Sequence, residues 1–460
     1  MDLARERERK LEAHDGFQLP PLGGRPLEPR LFTSVYYDTP TASLAWAGIT
    51  LRRRTENGAG VWQLKLPGDE ARFELAQPGG PTRPPAELAR LLVAHLRRGA
   101  LAPVAELRTR RRGELVERKG TSAEVTVDEV AVMDALRVAD EFVEVEIELR
   151  NGDGRELDRI ARNVERAGAK PTNGTPKVFR ALGLREAPDA GGGAFSTLHA
   201  RLRAQLREIL RHDPGTRVGA DAEALHQMRV AVRRSRALLR TGRRLIRTDT
   251  AALAADLKWL GKALGDVRDV DVLLDRLRAE VEMLDLPDRG AATSLLRALV
   301  RERRRKRGVL LKALDGSRYL RLLDDFETTL EELEPRASSA GLAALARRHL
   351  KQLRRAADEL GDDPTDAALH DLRKRGKRAR YAAELAGRST VVKRAKALQD
   401  VLGEHQDSVV AEARLRVLAL EAAPAEALAA GRLIELERKR RAAARRAWRD
   451  AWRRLDRAAS

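Results

Sequence analysis

Cysteine is absent from the 460-residue chain, which removes disulfides, zinc fingers, iron–sulfur ligation and thiol nucleophiles together. No apolar run approaches the roughly 20 residues that a membrane span needs, so no membrane partner is expected. The opening MDLARERERKLEA is charged where a secretion signal is apolar, which points to the cytoplasm. Aromatic residues make up only 3% of the chain, and past residue 195 there are just Trp259, Tyr319, Phe326, Tyr381, Trp448 and Trp452. Proteins that bind single-stranded nucleic acid stack bases on aromatic platforms, so this scarcity disfavours nucleic acid as a partner.

What the chain does have is basic charge, a net +20, with 43% hydrophobic and 34% charged residues. That balance excludes wholesale disorder, and the length implies two or three folding units. Residues 1–195 carry 31 Lys and Arg against 30 Asp and Glu, which leaves +19 to the remainder. The excess therefore sits in the C-terminal part. Its partner is anionic, and an anion with phosphates and no bases fits at least as well as a duplex gripped by its backbone.

Short alternating segments separated by Gly, Pro, Asn and Asp predict strands at Glu6–Leu11, Val35–Tyr37, Ile49–Arg54, Val61–Leu66, Arg72–Leu75, Arg108–Arg112, Glu124–Asp128 and Phe142–Leu149. Eight such strands suit a closed antiparallel barrel. A helix is expected over Ala86–Arg98, with another before a turn at Lys170–Gly174. DAGGGAF (Asp189–Phe195) reads as a linker. Beyond it Leu, Ala and Arg recur at helical spacing almost to the end. The expected organisation is a barrel over 1–184, a linker over 185–195 and an all-helical domain over 196–457, an α+β chain overall.

Side chains two apart share a strand face. Glu144, Glu146 and Glu148 therefore line one side of VEVEIEL, with Val143, Val145, Ile147 and Leu149 on the other. Glu6, Glu8 and Lys10 share a face, as do Arg52 and Arg54, Arg72 and Glu74, and Arg108, Arg110 and Arg112. A sheet with its charged face in water satisfies this pattern. So does a closed barrel with the charges in its lumen. Three glutamates spaced at roughly 7 Å on one strand repel one another, a cost relieved by a divalent cation among them. Carboxylates without cysteine suit Mg²⁺ or Mn²⁺ rather than zinc, and arginine suits phosphate through its planar fork.

Glu6-Arg7-Glu8-Arg9-Lys10 resembles the ExExK signature of CYTH domains, the triphosphate tunnel metalloenzymes. The resemblance runs over 1–184 through YYDTP (Tyr36–Pro40), LRRR (Leu51–Arg54), WQLKLPG (Trp62–Gly68), RFE (Arg72–Glu74), VEVEIEL and PKVFRALG (Pro176–Gly183). It implies an eight-stranded tunnel that hydrolyses triphosphates with Mg²⁺ or Mn²⁺. Glu6, Glu8, Glu144, Glu146 and Glu148 would hold metal, and Lys10, Arg52, Arg54, Lys65, Arg72, Arg110 and Lys177 would clamp phosphate. Glu6, Glu8 and Lys10 are the catalytic candidates.

The C-terminal part repeats itself. Leu225-His226-Gln227-Met228-Arg229, continued by Arg233, Arg234 and Arg236, matches Leu369-His370-Asp371-Leu372-Arg373, continued by Lys377, Arg378 and Arg380. Downstream, Lys258 and Leu264-Gly265-Asp266 match Lys396 and Leu402-Gly403-Glu404. Two matched motifs in one order indicate a duplication and a pseudo-twofold bundle. On a helix His226, Arg229, Arg233 and Arg236 form one stripe, and His370, Arg373, Lys377 and Arg380 form its copy. Asp269 and Asp407 are candidates to orient these bases or to form structural ion pairs. This half resembles the CHAD domains, which implies two four-helix bundles related by a pseudo-twofold axis and a basic surface for inorganic polyphosphate, with Lys258 and Lys396 joining the stripes and Arg234 and Arg378 beside them. The combined expectation is an inorganic triphosphatase with a polyphosphate-binding half, cytoplasmic and near polyphosphate granules. The alternatives are a non-catalytic polyphosphate adaptor and a tunnel enzyme acting on thiamine triphosphate or a nucleotide.

Overall fold

The computed structural model describes residues 2–68, 72–97, 99–118, 120–152, 154–172, 177–184, 193–220, 222–336 and 341–459. The expected linker up to residue 192, Pro176, and residues 173 and 174 of the expected turn lie outside them. Two compact units emerge, residues 1–188 with 207–225, and residues 189–206 with 226–460.

Among the described residues ten strands form one sheet: β1 (Asp2–Ala13), β2 (Arg25–Pro26), β3 (Arg30–Asp38), β4 (Thr50–Glu56), β5 (Ala59–Leu66), β6 (Arg72–Pro78), β7 (Ala102–Arg118), β8 (Thr121–Asp134), β9 (Arg137–Asn151) and β10 (Lys170–Pro171). Eight of them close a ring in the order β1, β6, β5, β4, β3, β7, β8, β9, which antiparallel pairing of β9 with β1 completes. The two-residue strands β2 and β10 attach to β7 and β1. A tight turn at Asn57-Gly58 joins β4 to β5, and both residues have positive φ, the backbone a two-residue hairpin loop requires.

The alternation resolves in favour of the closed barrel, with polarity reversed relative to an ordinary core. Val143, Val145 and Ile147 of β9 face outward against Leu157, Ile160, Ala161 and Val164 of α4 (Gly154–Arg166). On the other side Leu51, Trp62, Leu64, Leu66 and Leu75 pack against α1 (Ser43–Trp46) and α2 (Ala86–Leu91). The single helix expected over 86–98 is broken at Leu92 (φ −103°, ψ 7°), after which α3 (Val93–Leu96) follows. Apolar side chains thus wrap the barrel's outside under helices, leaving the charged parity to face inward. A short helix, α5 (Lys177–Ala181), completes the unit's elements before residue 193.

The helical part consists of α6 (Ala194–Val218), α7 (Glu223–Gly242), α8 (Ala251–Val281), α9 (Leu286–Asp315), α10 (Ser317–Glu331), α11 (Leu342–Asp358), α12 (Asp366–Leu385), α13 (Ser389–Leu420) and α14 (Pro424–Ala459). Helices α11–α14 repeat the order of α6–α9, with α10 between the copies. The HxxR stripes fall on α7 and α12, and the LGD/LGE motifs on α8 and α13. One apolar core joins α8 and α9 to α13 and α14, and a second holds α11–α14 together. Among the described residues no helix is long and apolar enough to cross a membrane.

Candidate functional site

The lumen of the barrel is a cavity of about 820 Å³ including its open ends. Glu6, Glu8 and Lys10 reach it from β1, Arg52 and Arg54 from β4, Lys65 from β5, Arg72 and Glu74 from β6, Arg111 from β7, Glu146 and Glu148 from β9, and Lys177 from α5. The β1–β9 register sets Glu8 opposite Glu148 and Lys10 opposite Glu146, so side chains far apart in sequence share one wall.

Acids and bases alternate around that wall. Lys10 Nζ lies 2.5 Å from Glu146 and 3.3 Å from Glu144. Lys177 Nζ lies 2.5 Å from Asp128, 3.2 Å from Glu144 and 3.3 Å from Glu146. Arg111 binds Asp128 through both arms of its fork, at 2.6 and 2.7 Å, and also reaches Glu146 at 2.5 Å. Further along, Lys65 bridges Glu6 at 2.7 Å and Glu74 at 2.9 Å. Arg52 donates to Gln63, which donates to Glu74. At the mouth Arg54 and Arg30 share Glu56, while Arg150 joins Glu124 to Glu148.

Burial opposes every one of these charges, and the neighbours decide the outcome. Burial works to lower Lys10, yet Glu146, Glu144 and Glu8 keep it well above its ordinary range. Lys177 behaves alike under Asp128 and the two glutamates. Burial pushes Glu6 up to about 7, Lys65 pulls it back, and a hydrogen bond to Glu74 raises it again. Glu74 is buried too, but Lys65, the hydrogen bond from Glu6 and Arg52 bring it down to about 2. Arg54 is lowered to about 10 by burial and by Arg30 and Arg52. Its guanidinium stacks 3.6 Å from the centre of the Phe32 ring, and its Nε is buried with no hydrogen-bond partner among the described residues.

One expected clamp is misplaced. Arg108 and Arg110 are exposed on the outer face of β7, and Arg112 shares their parity, donating to the Phe17 carbonyl. Arg111 occupies the lumen instead, because Leu107 and Thr109 on its side of the strand are buried. Glu144 lies behind the wall at 7% exposure, touching Lys10 and Lys177. Asp128, Glu124, Arg30, Arg150, Tyr36 and Gln63 belong to the site and were missed. Asp128 and Glu124 were within reach, since Glu124, Thr126 and Asp128 alternate with the outward Val125 and Val127.

The donor set fits a hard divalent cation. It is all oxygen, and burial raises Glu6 and Glu148, a cost that a cation among the carboxylates could offset. Among the described residues no three acidic or histidine side chains converge as a ready cage, because lysine and arginine stand between them.

In the helical unit the stripes carry their own support. Arg229 pairs with Asp269 at 2.9 Å, and Arg233 Nε donates to the Tyr381 hydroxyl at 3.2 Å, joining α7 to α12. Arg234 lies 3.7 Å from Glu384. The matched glycines seat matched arginines: a Cβ on Gly265 would stand 3.6 Å from the Arg229 guanidinium, and one on Gly403 3.3 Å from that of Arg373. Burial lowers Arg373 and Asp407 opposes that, while Arg233 and Arg229 add to the lowering. Arg380 stacks on Tyr381. Arg240 is lowered by burial and by Arg378 and Arg236, so those three cations also crowd together. His370 is lowered by burial and by Lys374; His226 begins the matching stripe on α7. Lys258 and Lys396 are exposed. His405 is buried against Asp366 at 3.0 Å, a core pairing rather than part of the stripe.

A charged tunnel barrel and a duplicated four-helix set bearing basic stripes define a two-part protein of phosphate chemistry. The CYTH domain family matches residues 4–179, and the CHAD domain family matches residues 200–416. An uncharacterized protein of Mycobacterium tuberculosis (strain H37Rv) is 34% identical over 83% of this chain and 81% of its own length. PptA from Streptomyces chartreusis is similar in structure, with 27% identity and a TM-score of 0.50 over 57% of this chain and 100% of its own. The CHAD domain from the plant Ricinus communis is 31% identical, with a TM-score of 0.47 over 58% of this chain and 93% of its own. The chain belongs to the family that joins a CYTH domain to a CHAD domain.

Proposed function

We propose that the tunnel is a metal-dependent inorganic triphosphatase, converting tripolyphosphate to diphosphate and phosphate, and that the helical unit binds inorganic polyphosphate. One observation carries the reading: cations from seven strands and one helix converge on a lumen whose aromatic lining, among the described residues, is Tyr36 alone. Such a lumen offers charge for three phosphates and little surface for a base.

In this reading the carboxylates that now hold Lys10, Arg111 and Lys177 mimic phosphate oxygens. An entering chain takes over those contacts, and Arg52, Arg54, Lys65 and Arg72 fix it along the tunnel. Glu6, Glu8, Glu146 and Glu148 would hold Mg²⁺ or Mn²⁺, with Glu144 behind them; bound there, the ion would supply charge neutralisation and acidify water. Water attacks the terminal phosphorus, the bridging P–O bond breaks, and the diphosphate leaves with the electron pair. One of the tunnel's carboxylates would receive the water's proton.

The test is phosphate release from tripolyphosphate with Mg²⁺ or Mn²⁺, with chelator and the Glu6→Ala plus Glu8→Ala variant as controls. Absence of metal-dependent release sinks the enzyme reading and leaves the adaptor. A higher kcat/KM for thiamine triphosphate or ATP would instead assign an organic substrate. The Arg229–Arg233 and Arg373–Arg380 stripes support polyphosphate as the second ligand, and with it a cytoplasmic place at polyphosphate granules. Competition by excess RNA or DNA at moderate salt would overturn that choice.

A further inference from the structure

The two ends of the lumen are built differently. Toward one end the inward positions change from charged to apolar: Val130 and Val132 follow Asp128 on β8, Phe142 precedes Glu144 on β9, and Leu107 precedes Arg111 on β7. These side chains pack with Tyr36 of β3 and Val178 of α5 in one buried cluster. Helix α5 lies across that end. Its Arg180 binds Glu12 of β1 at 2.7 Å and stacks 4.3 Å from the centre of the Phe142 ring, while Phe179 meets the Trp46 ring of α1 at 5.3 Å. Lys177 turns back from the helix onto Asp128, Glu144 and Glu146. The apolar cluster and the helix thus form a floor beneath the deepest cations.

The opposite end is a charged mouth. There Arg150 of β9 joins Glu124 and Glu148 at 2.6 and 2.8 Å, and Arg30 of β3 grips both oxygens of Glu56 at 2.6 Å. Both guanidiniums line the lumen and are about half exposed. From Glu144 to Arg150 the strand advances six residues, about 15 Å along the axis for a tilted barrel strand. A P–O–P repeat is no longer than the rise of one strand residue, so that length exceeds what three phosphoryl groups occupy.

We propose that the tunnel is a one-mouthed exopolyphosphatase, taking linear polyphosphates longer than three phosphates by the chain end. The end phosphate rests on Lys10, Arg111 and Lys177 above the floor, and Arg30 and Arg150 hold a phosphate further up the chain. This rests on the reading of the lumen as a triphosphatase and extends its substrate to longer chains. Water adds to the end phosphorus, the P–O bond to the next phosphate breaks, and the bridging oxygen keeps the electron pair. The water's proton passes to a tunnel carboxylate. The products are orthophosphate and a chain one phosphate shorter. Because the shortened chain stands between the orthophosphate and the mouth, it leaves first.

The experiment gives the full chain Mg²⁺ or Mn²⁺ with linear tetrapolyphosphate or with cyclic tetrametaphosphate, which has the same anhydrides and no end. Products formed at early times are separated by anion-exchange chromatography. Orthophosphate and triphosphate are expected in equal amounts from the linear chain, and the ring is expected to stay intact. Diphosphate as a first product, or opening of the ring, overturns the proposal. So does tetrapolyphosphate left uncut by a protein that cleaves tripolyphosphate, whereas failure to cleave tripolyphosphate itself removes the reading beneath. The double variant Arg30→Ala with Arg150→Ala is expected to lower the ratio of kcat/KM for tetrapolyphosphate to that for tripolyphosphate about fivefold, the size of a half-exposed charge contact. An unchanged ratio would take the mouth out of the chain's path and overturn the assignment.

Discussion

Asp128 offers the sharpest test of the tunnel's electrostatics. It is fully buried, accepts two hydrogen bonds from Arg111 and one from Lys177, and is held below the usual carboxylate range; burial works against this, but Lys177 and Arg111 prevail despite Glu146. Asp128→Asn keeps the shape and removes the charge, leaving two enclosed cations to share Glu144 and Glu146. Breaking one partner of a buried pair costs about 3–5 kcal/mol. For a unit of this size that lowers Tm by on the order of 10 °C. Asp158→Asn is the control: its pair with Arg9 at 2.8 Å is about half exposed and is worth less than about 1 kcal/mol. Melting is followed by scanning fluorimetry with and without tripolyphosphate. The ligand's oxygens can replace the missing carboxylate, so tripolyphosphate is expected to raise Tm more in Asp128→Asn than in the parent. A variant that melts within about 2 °C of the parent, or that gains no more from the ligand, refutes the idea that carboxylates stand in for phosphate.

Arg111→Ala is expected to lower kcat/KM for tripolyphosphate on the order of 100-fold, as loss of charge-assisted contacts implies, whereas Arg110→Ala leaves it unchanged; the reverse order would restore the expected strand face. Phe32 supports Arg54 at 3.6 Å and Arg111 at 5.6 Å, so Phe32→Leu should raise KM up to about tenfold with kcat retained, while Phe32→Tyr preserves KM. Glu6 titrates near 7 when folded and lower when unfolded. Its contribution to stability is thus complete below its unfolded value and lost as pH rises through about 7. Melting curves between pH 4.5 and 8 should show that decline in the parent, and an equal decline in Glu6→Gln would count against it.

The shared face was legible wherever one parity of a strand was apolar. Val143, Val145 and Ile147 set Glu144, Glu146 and Glu148 on one face, and closure of the ring through β9 and β1 makes that face the inner one rather than a surface in water. In β7 arginine stands at both parities, at 108, 110, 111 and 112. Alternation then decides nothing, and only the buried Leu107 tells which set faces inward. Asp128 carried a readable signal that its neighbours Val125 and Val127 supplied. Tyr36 meets Arg52 only through the register of β3 on β4, a long-range pairing that no local pattern encodes. The helical stripes were readable because duplication printed them twice. The packing of α7 on α12 through Arg233 and Tyr381 was not, since it joins residues from different copies.

The ring closure has a consequence for how the barrel comes to exist. β1 is synthesised before the other strands of the barrel, yet its ring neighbours are β6, beginning at Arg72, and β9, beginning at Arg137. The earliest strand is therefore the last to be sealed. Pairings of such sequence separation form slowly, and a waiting strand with open edges invites pairing with other chains. Glu6, Glu8 and Lys10 alternate along that strand and oppose such association. The charges that face the lumen in the folded barrel act, during synthesis, as gatekeepers against aggregation.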